Sequence, residues 1–246
     1  QRIAFVQNND LYVMSVESGQ MVRVTDDGSP TRLNGRLDWV YQEEVYGRGN
    51  FKAFWWSDDS RSIAFLRIDS SNVLPFTFTT SEVPRGGTVV ERYPKAGDPN
   101  PSAELWVATF GPSLDEPVSL KAVVTPSSDE ISNEDLIVRV AWRPKSNDLV
   151  FINTNRLQNE LTLWRYDVSS NSPPTAIIEE NSRQWLEILG LPHWLPNGDF
   201  LWLSDLPSGR RRVWRVSDNG TQRVPLTPEN FDVRELVAVD SEKSVG

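Results

Sequence analysis

Short runs of β-branched and aromatic residues, each closed by a tight polar turn, fill most of this chain. Three runs superimpose: "WSDDSRSIAF" from Trp56, "WRPKSNDLVF" from Trp142 and "WLPNGDFLWL" from Trp194. In each, a strand ends near the tryptophan, a polar turn follows, and a second strand begins at a fixed spacing. A further strand comes next every time: Glu104 to Ala108, Leu161 to Tyr166 and Arg212 to Val216. The N-terminal "RIAFVQNNDLYVMSV" supplies the same strand pair, Ile3 to Phe5 and Leu11 to Met14, without a tryptophan strand before it. The pattern therefore starts inside a repeat.

Repeats of about 40–50 residues with three or four short strands predict propeller blades, because one small sheet cannot bury both its faces and must stack on its neighbours. Trp142 and Trp194 are 52 residues apart, which suits one blade, whereas Trp56 and Trp142 are 86 apart, so an insertion is expected at about residues 70–101. The predicted fold is all-β: a partial β-propeller of about four blades over residues 1–246, the first and last incomplete. The repeated tryptophans are assigned to blade packing.

One stretch departs from the strand pattern. "DWVYQEEVYGR", residues 38–48, has Asp38 in position to cap a helix, no Gly or Pro from Trp39 to Tyr46, and Gly47 to stop it. A helix of about two turns is predicted. It holds two adjacent carboxylates, Glu43 and Glu44, among Trp39, Val40, Tyr41, Val45 and Tyr46. An ionised carboxylate taken out of water costs several kcal/mol unless a cation compensates. The pair thus either faces solvent as an ordinary helix face or grips one small cation from two sides.

Composition narrows the choices. With 38% hydrophobic and 24% charged residues, the 246-residue chain has the material for a sizeable core. A net charge of −9 opposes nucleic acid as a partner, and no basic patch offsets it. The absence of cysteine removes disulfides, thiolate metal sites and a cysteine nucleophile. No apolar run is long enough to span a membrane, and the first residues lack a signal-peptide layout.

The motifs Asp-Trp-Val-Tyr-x-Glu-Glu, Phe-Trp-Trp-Ser and Tyr-Pro-Lys-Ala-Gly-x-x-Asn-Pro follow one another over residues 38–101. Together they resemble the N-terminal propeller of the dipeptidyl peptidase IV family, the S9B branch of the prolyl oligopeptidase clan; residues 102–246 match more loosely, through the repeats. The resemblance implies a serine exopeptidase that releases N-terminal dipeptides, usually Xaa-Pro or Xaa-Ala, with a C-terminal α/β-hydrolase domain under the propeller. It implies that Glu43 and Glu44 bind the free N-terminal amine of a peptide substrate, which fixes cleavage at two residues. It also implies an exported, periplasmic or membrane-anchored protein and leaves open a homodimer. The family's arginine upstream of the glutamates, which helps bind the substrate's first carbonyl, has no counterpart within the chain.

No Gly-x-Ser-x-Gly elbow occurs, and the one histidine, His193, lies beside a repeat tryptophan, so no catalytic triad is expected here and this chain alone should be inactive. The hydrolase domain is expected outside this sequence, as a partner of the propeller. No cofactor and no metal site are expected: Asp58, Asp59 and Asp69 match no calcium-loop spacing. Arg210, Arg211 and Arg212 read as a solvated hairpin tip, and Asn219-Gly-Thr as a formal glycosylation sequon at a turn. The competing expectation is a self-standing propeller that acts as a protein-binding platform.

Overall fold

The structure is a computed structural model that describes residues 1–81, 86–125, 131–170 and 172–239. It divides into two compact units, residues 1–136 and 137–246. In the first, β1 (Arg2–Gln7), β2 (Asp10–Ser15) and β3 (Met21–Arg23) form a three-stranded antiparallel sheet. The second sheet contains β4 (Arg32–Asn34), β5 (Phe54–Trp56) and β6 (Ser62–Asp69). Between β6 and the next strand of this sheet stands a separate hairpin, β7 (Pro75–Thr80) and β8 (Gly87–Arg92), and then β9 (Ser102–Thr109) and β10 (Ser119–Val124) complete the sheet. The insertion expected at 70–101 is this hairpin with its flanks; its tip, residues 82–85, lies outside the described residues.

Both β4 and β5 pair with β6, but at opposite ends. Asn34 stands against Arg67, while Phe54 stands against Phe65. What would be one edge strand is thus split, and the chain leaves the sheet between the halves. A narrow neck closes the break. The Gly35 N–H donates to the Leu66 carbonyl (2.9 Å), the Ala53 N–H to the Gly35 carbonyl (3.0 Å), and the Leu37 N–H to the Phe51 carbonyl (2.9 Å). Gly35 sits at φ +72° with Leu11 and Val6 side chains 3.3 Å from where a Cβ would stand, so this crossing demands glycine. The packed interior of the first unit includes Leu11, Val13, Val24, Ile63, Phe65, Ala108 and Phe110, with Trp56 and Trp106 laid against it.

The second unit holds two four-stranded antiparallel sheets. One runs β11 (Leu136–Trp142), β12 (Asp148–Thr154), β13 (Glu160–Asp167) and β14 (Thr175–Asn181). The other runs β15 (His193–Trp194), β16 (Phe200–Ser204), β17 (Arg212–Val216) and β18 (Arg223–Pro225). The shortened last blade expected from the sequence is therefore not what forms: its sheet has four strands like its neighbour. The two sheets are tied by Trp202, whose indole donates to buried Glu180 (2.9 Å), and by Asp218, which pairs with both Arg143 (2.8 Å) and Arg165 (3.1 Å). Gly220 passes so close to the Ile177 carbonyl that a Cβ would lie 1.8 Å from it.

The three tryptophans used to find the repeats end β5, β11 and β15. Trp56 packs on Phe110 and Trp194 on Phe200, as blade packing requires.

Candidate functional site

The excursion from the split strand, residues 36–52, builds the site. Its helix covers residues 39–45, close to the two turns expected, but Tyr41–Val45 is wound as a π-turn. The reason is visible in the hydrogen bonds. The Gln42 N–H still reaches the Asp38 carbonyl (3.0 Å), but the Tyr46 N–H goes five residues back to the Tyr41 carbonyl (2.8 Å), widening the last turn. Asp38 caps as predicted: its Oδ1 accepts from the Tyr41 N–H (3.1 Å).

Apolar and polar faces separate sharply on this short element. Val40 and Tyr41 are buried, Tyr41 completely, and its ring neighbours Tyr46, which in turn leans on Trp55 of β5. Gln42 is buried too, and its Oε1 accepts from the Gly49 N–H (2.8 Å), which folds the following loop back over the helix. Glu43 and Glu44 are left on the outside, Glu43 partly covered and Glu44 exposed. The two predicted carboxylates therefore occupy consecutive positions on the outer side of a turn anchored by buried Tyr41 and Gln42.

A cation from the chain itself reaches one of them. Arg48 donates from Nε to Glu43 Oε1 (2.7 Å), and its Nη2 contacts the same oxygen. The Glu43 side chain is 17% exposed and that of Arg48 85%. Hydrogen bonding to Glu43, with a smaller contribution from the charge of Glu44, holds this guanidinium even more firmly protonated than usual. Glu44 enters no ion pair among the described residues.

The other face of the helix start borders a cavity of about 430 Å³, lined by Asp38, Trp39, Gln42, Phe51, Glu91 and Arg92 among others. Trp39 meets Tyr93 edge to face, with ring centroids 4.5 Å apart, so the chain leaving β8 packs on the helix. The Asp-Trp-Val-Tyr motif and the Tyr-Pro-Lys-Ala-Gly motif, distant in sequence, thus meet in space. Arg92 fixes the base of the hairpin by donating to the Val73 (2.5 Å) and Ser71 (3.3 Å) carbonyls. Asp38 is 7% exposed and its Oδ2 has no hydrogen-bond partner. Burial pushes its carboxyl up to about 6, against backbone hydrogen bonds that lower it and with help from the charge of Glu91.

The remaining singled-out residues lie elsewhere. His193 is exposed on β15. Asp59 accepts from the Ser57 hydroxyl and the Arg61 N–H within a turn, and Asp69 holds Arg32 (3.5 Å) and the Ser71 N–H. Asn219 Oδ1 accepts from the hydroxyls of Ser217 and Thr221 at its own turn. The arginine tripeptide is not a free tip. Arg210 pairs with Asp232, Arg211 with Glu187 and Asp205, and Arg212 is buried against Glu229 and the Thr227 carbonyl. The acceptors lie up to two dozen residues away in sequence, so local turn chemistry could not reveal them.

Comparison with known proteins assigns the fold and its setting. The family described as "Dipeptidyl peptidase IV (DPP IV) N-terminal region" matches residues 1–245. The chain belongs to that family. It is 36% identical over 191 residues to dipeptidyl aminopeptidase B of Saccharomyces cerevisiae, covering 76% of this chain and 22% of that protein. It is 28% identical over 257 aligned positions to a probable dipeptidyl peptidase 4 of Neosartorya fischeri, covering 99% and 32%. The crystal structure of Porphyromonas gingivalis dipeptidyl peptidase 4 superimposes with a TM-score of 0.83 at 26% identity, over 98% of this chain and 33% of that one. The chain thus spans about a third or less of the length of these proteins.

Proposed function

We propose that this chain is the amine-recognition part of a serine exopeptidase that releases dipeptides from peptides with a free N-terminus. Glu43 and Glu44 receive the substrate's α-ammonium. The observation that carries this reading is their placement: two adjacent carboxylates on the outer side of a helix anchored by buried Val40, Tyr41 and Gln42, in a chain of the dipeptidyl peptidase IV N-terminal family. An α-amino group, with a pKa near 7.7–8.0, is largely cationic at neutral pH and offers three N–H donors. Two carboxylates match it in charge and in acceptor count. An amine fixed at one distance from the nucleophile limits cleavage to the second peptide bond, with Pro or Ala the expected second residue. The nucleophile, base and oxyanion hole belong to an α/β-hydrolase domain outside this sequence.

The test uses the full-length protein that carries this chain. Glu43→Gln or Glu44→Gln removes one charge at constant size, and a charge-assisted hydrogen bond contributes about 1.5–3 kcal/mol, so kcat/KM for a free dipeptide substrate should fall about ten- to hundredfold for each. An N-blocked substrate should be cleaved slowly by all forms alike. Folded variants with undiminished kcat/KM would reduce the pair to a solvated helix face.

A second reading, a propeller used as a contact platform, is favoured by the β7–β8 hairpin, where Leu74, Phe76, Phe78 and Val90 are all exposed. A second copy of the protein is the partner that reading offers, and sedimentation of the purified protein against Phe76→Ser/Phe78→Ser tests it: a dimer lost in the variant supports the platform, and a wild-type monomer opposes it.

A further inference from the structure

We propose that Arg48 is a built-in counter-cation that competes with the substrate ammonium for Glu43 and so sets how tightly the amine site binds. The inference rests on the amine-recognition reading of Glu43 and Glu44 and concerns a residue that reading does not use.

The geometry is specific to this loop. Arg48 lies between Gly47 (φ +100°) and Gly49 (φ +82°), two left-handed positions that turn the chain back on the helix. The Asn50 N–H closes the turn on the Gly47 carbonyl (3.0 Å), and the Gly49 N–H is held by buried Gln42. The loop backbone is therefore anchored, while the Arg48 side chain it carries is 85% exposed and tied down only at its tip. Such a side chain can swing away into solvent, because the guanidinium end of the pair is open to water and its charge is screened by salt.

Both guanidinium contacts fall on Glu43 Oε1. Oε2 is not engaged by Arg48, and Glu44 beside it is exposed. An arriving ammonium finds Glu44 and Glu43 Oε2 not engaged by Arg48, but the charge of Glu43 is already shared with that guanidinium. The resting site carries one net negative charge across Glu43, Glu44 and Arg48, matching a single ammonium. Two unscreened carboxylates would hold the amine harder and release a dipeptide product, which keeps that amine, more slowly.

Arg48→Gln in the full-length protein tests the assignment. KM for a dipeptide substrate should fall about two- to fivefold at low ionic strength with kcat for the chemical step unchanged, and the gain should vanish near 0.5 M salt. Arg48→Lys, which keeps the charge, should stay close to wild type. In a Glu43→Gln background Arg48→Gln should have no further effect, since there is no carboxylate left to unmask. An unchanged or raised KM in Arg48→Gln, or a gain that survives in the Glu43→Gln background, would overturn the role of Arg48. The two readings fail separately: if Glu43→Gln and Glu44→Gln themselves leave KM and kcat/KM unaltered, the amine site is wrong; if they impair it while Arg48→Gln is inert, only the counter-cation is wrong.

Discussion

An edge strand of the second sheet and an edge strand of the third are built in different ways. β11 runs unbroken from Leu136 to Trp142 beside β12, whereas the equivalent position beside β6 is filled by two three-residue strands, β4 and β5, with residues 35–53 leaving between them. In the first case the strand is continuous. In the second, the sheet gives up continuity and gains a buried-backed turn that presents Glu43 and Glu44. The repeat supplies the scaffold, and the candidate site stands at its interruption. The neck at Gly35, Leu37, Phe51 and Ala53 makes this workable, since it re-pairs the backbone groups that the split would otherwise leave bare.

The comparison is sharpened most by emptying each core. Tyr41 and Phe151 are both fully buried aromatics, one under the site and one in β12. Either residue replaced by Ala should cost about 3–5 kcal/mol. The consequences should differ. Phe151→Ala should lower the denaturation midpoint and leave KM of the folded fraction unchanged. Tyr41→Ala should also raise KM, because the turn carrying the carboxylates loses its anchor. Equal KM effects from both would mean that the excursion is not mechanically distinct from the scaffold.

Asp38 gives the next largest effect, and its sign is unusual for a carboxylate. Its folded pKa is raised, to about 6, above the usual carboxylate value, so the folded state holds its proton longer than the unfolded one. Stability from this group is fully present below about pH 4, declines as pH rises towards 6, and is flat beyond; the whole change is on the order of 2–3 kcal/mol. The charged neighbours at the cavity are Glu91, which adds to the shift, and Arg36 and Arg92, of which Arg92 is occupied by the Val73 and Ser71 carbonyls. Asp38→Asn keeps an acceptor for the Tyr41 N–H and cannot ionise. Urea melts at pH 4.5 and 7 should show the variant gaining on wild type at the higher pH, and a parallel pH response in both would remove Asp38 as the cause.

How much of this was legible follows from which interactions are local. The tryptophan, turn and strand spacing located the paired strands of three sheets, because a tight turn fixes register within a few residues. The helix start at Asp38 and stop at Gly47 were legible for the same reason. The split of the edge strand was not: Arg32-Leu33-Asn34 is too short to carry a period, and it becomes a strand only because β6 is long enough to pair with two segments. The burial of Asp38 was hidden as well, since it depends on the β7–β8 hairpin and Tyr93 folding back from some fifty residues away. The contact between Arg48 and Glu43 needs the π-wound turn and two positive-φ glycines together, a conjunction that no single-residue preference announces.

The smallest expected effect sets the two regions apart most cleanly. Arg48 in the excursion and Arg210 in the fourth sheet's turn are both exposed arginines paired to a carboxylate, the latter with Asp232 at 3.3 Å, with both members of that pair more than half exposed. Ion pairs of this kind hold long side chains in place against their own entropy and are screened by salt. Arg210→Gln should therefore shift stability by no more than about 0.5 kcal/mol, and Arg48→Gln should leave the melting temperature where it was. If the excursion is a site and the turn merely surface, the pair of variants will separate in KM alone: Arg48→Gln lowers it and Arg210→Gln does not. Steady-state kinetics of both at low and high salt decides the matter, because a shift common to both would be an effect of overall charge, and the distinction between scaffold and excursion would then have no electrostatic basis.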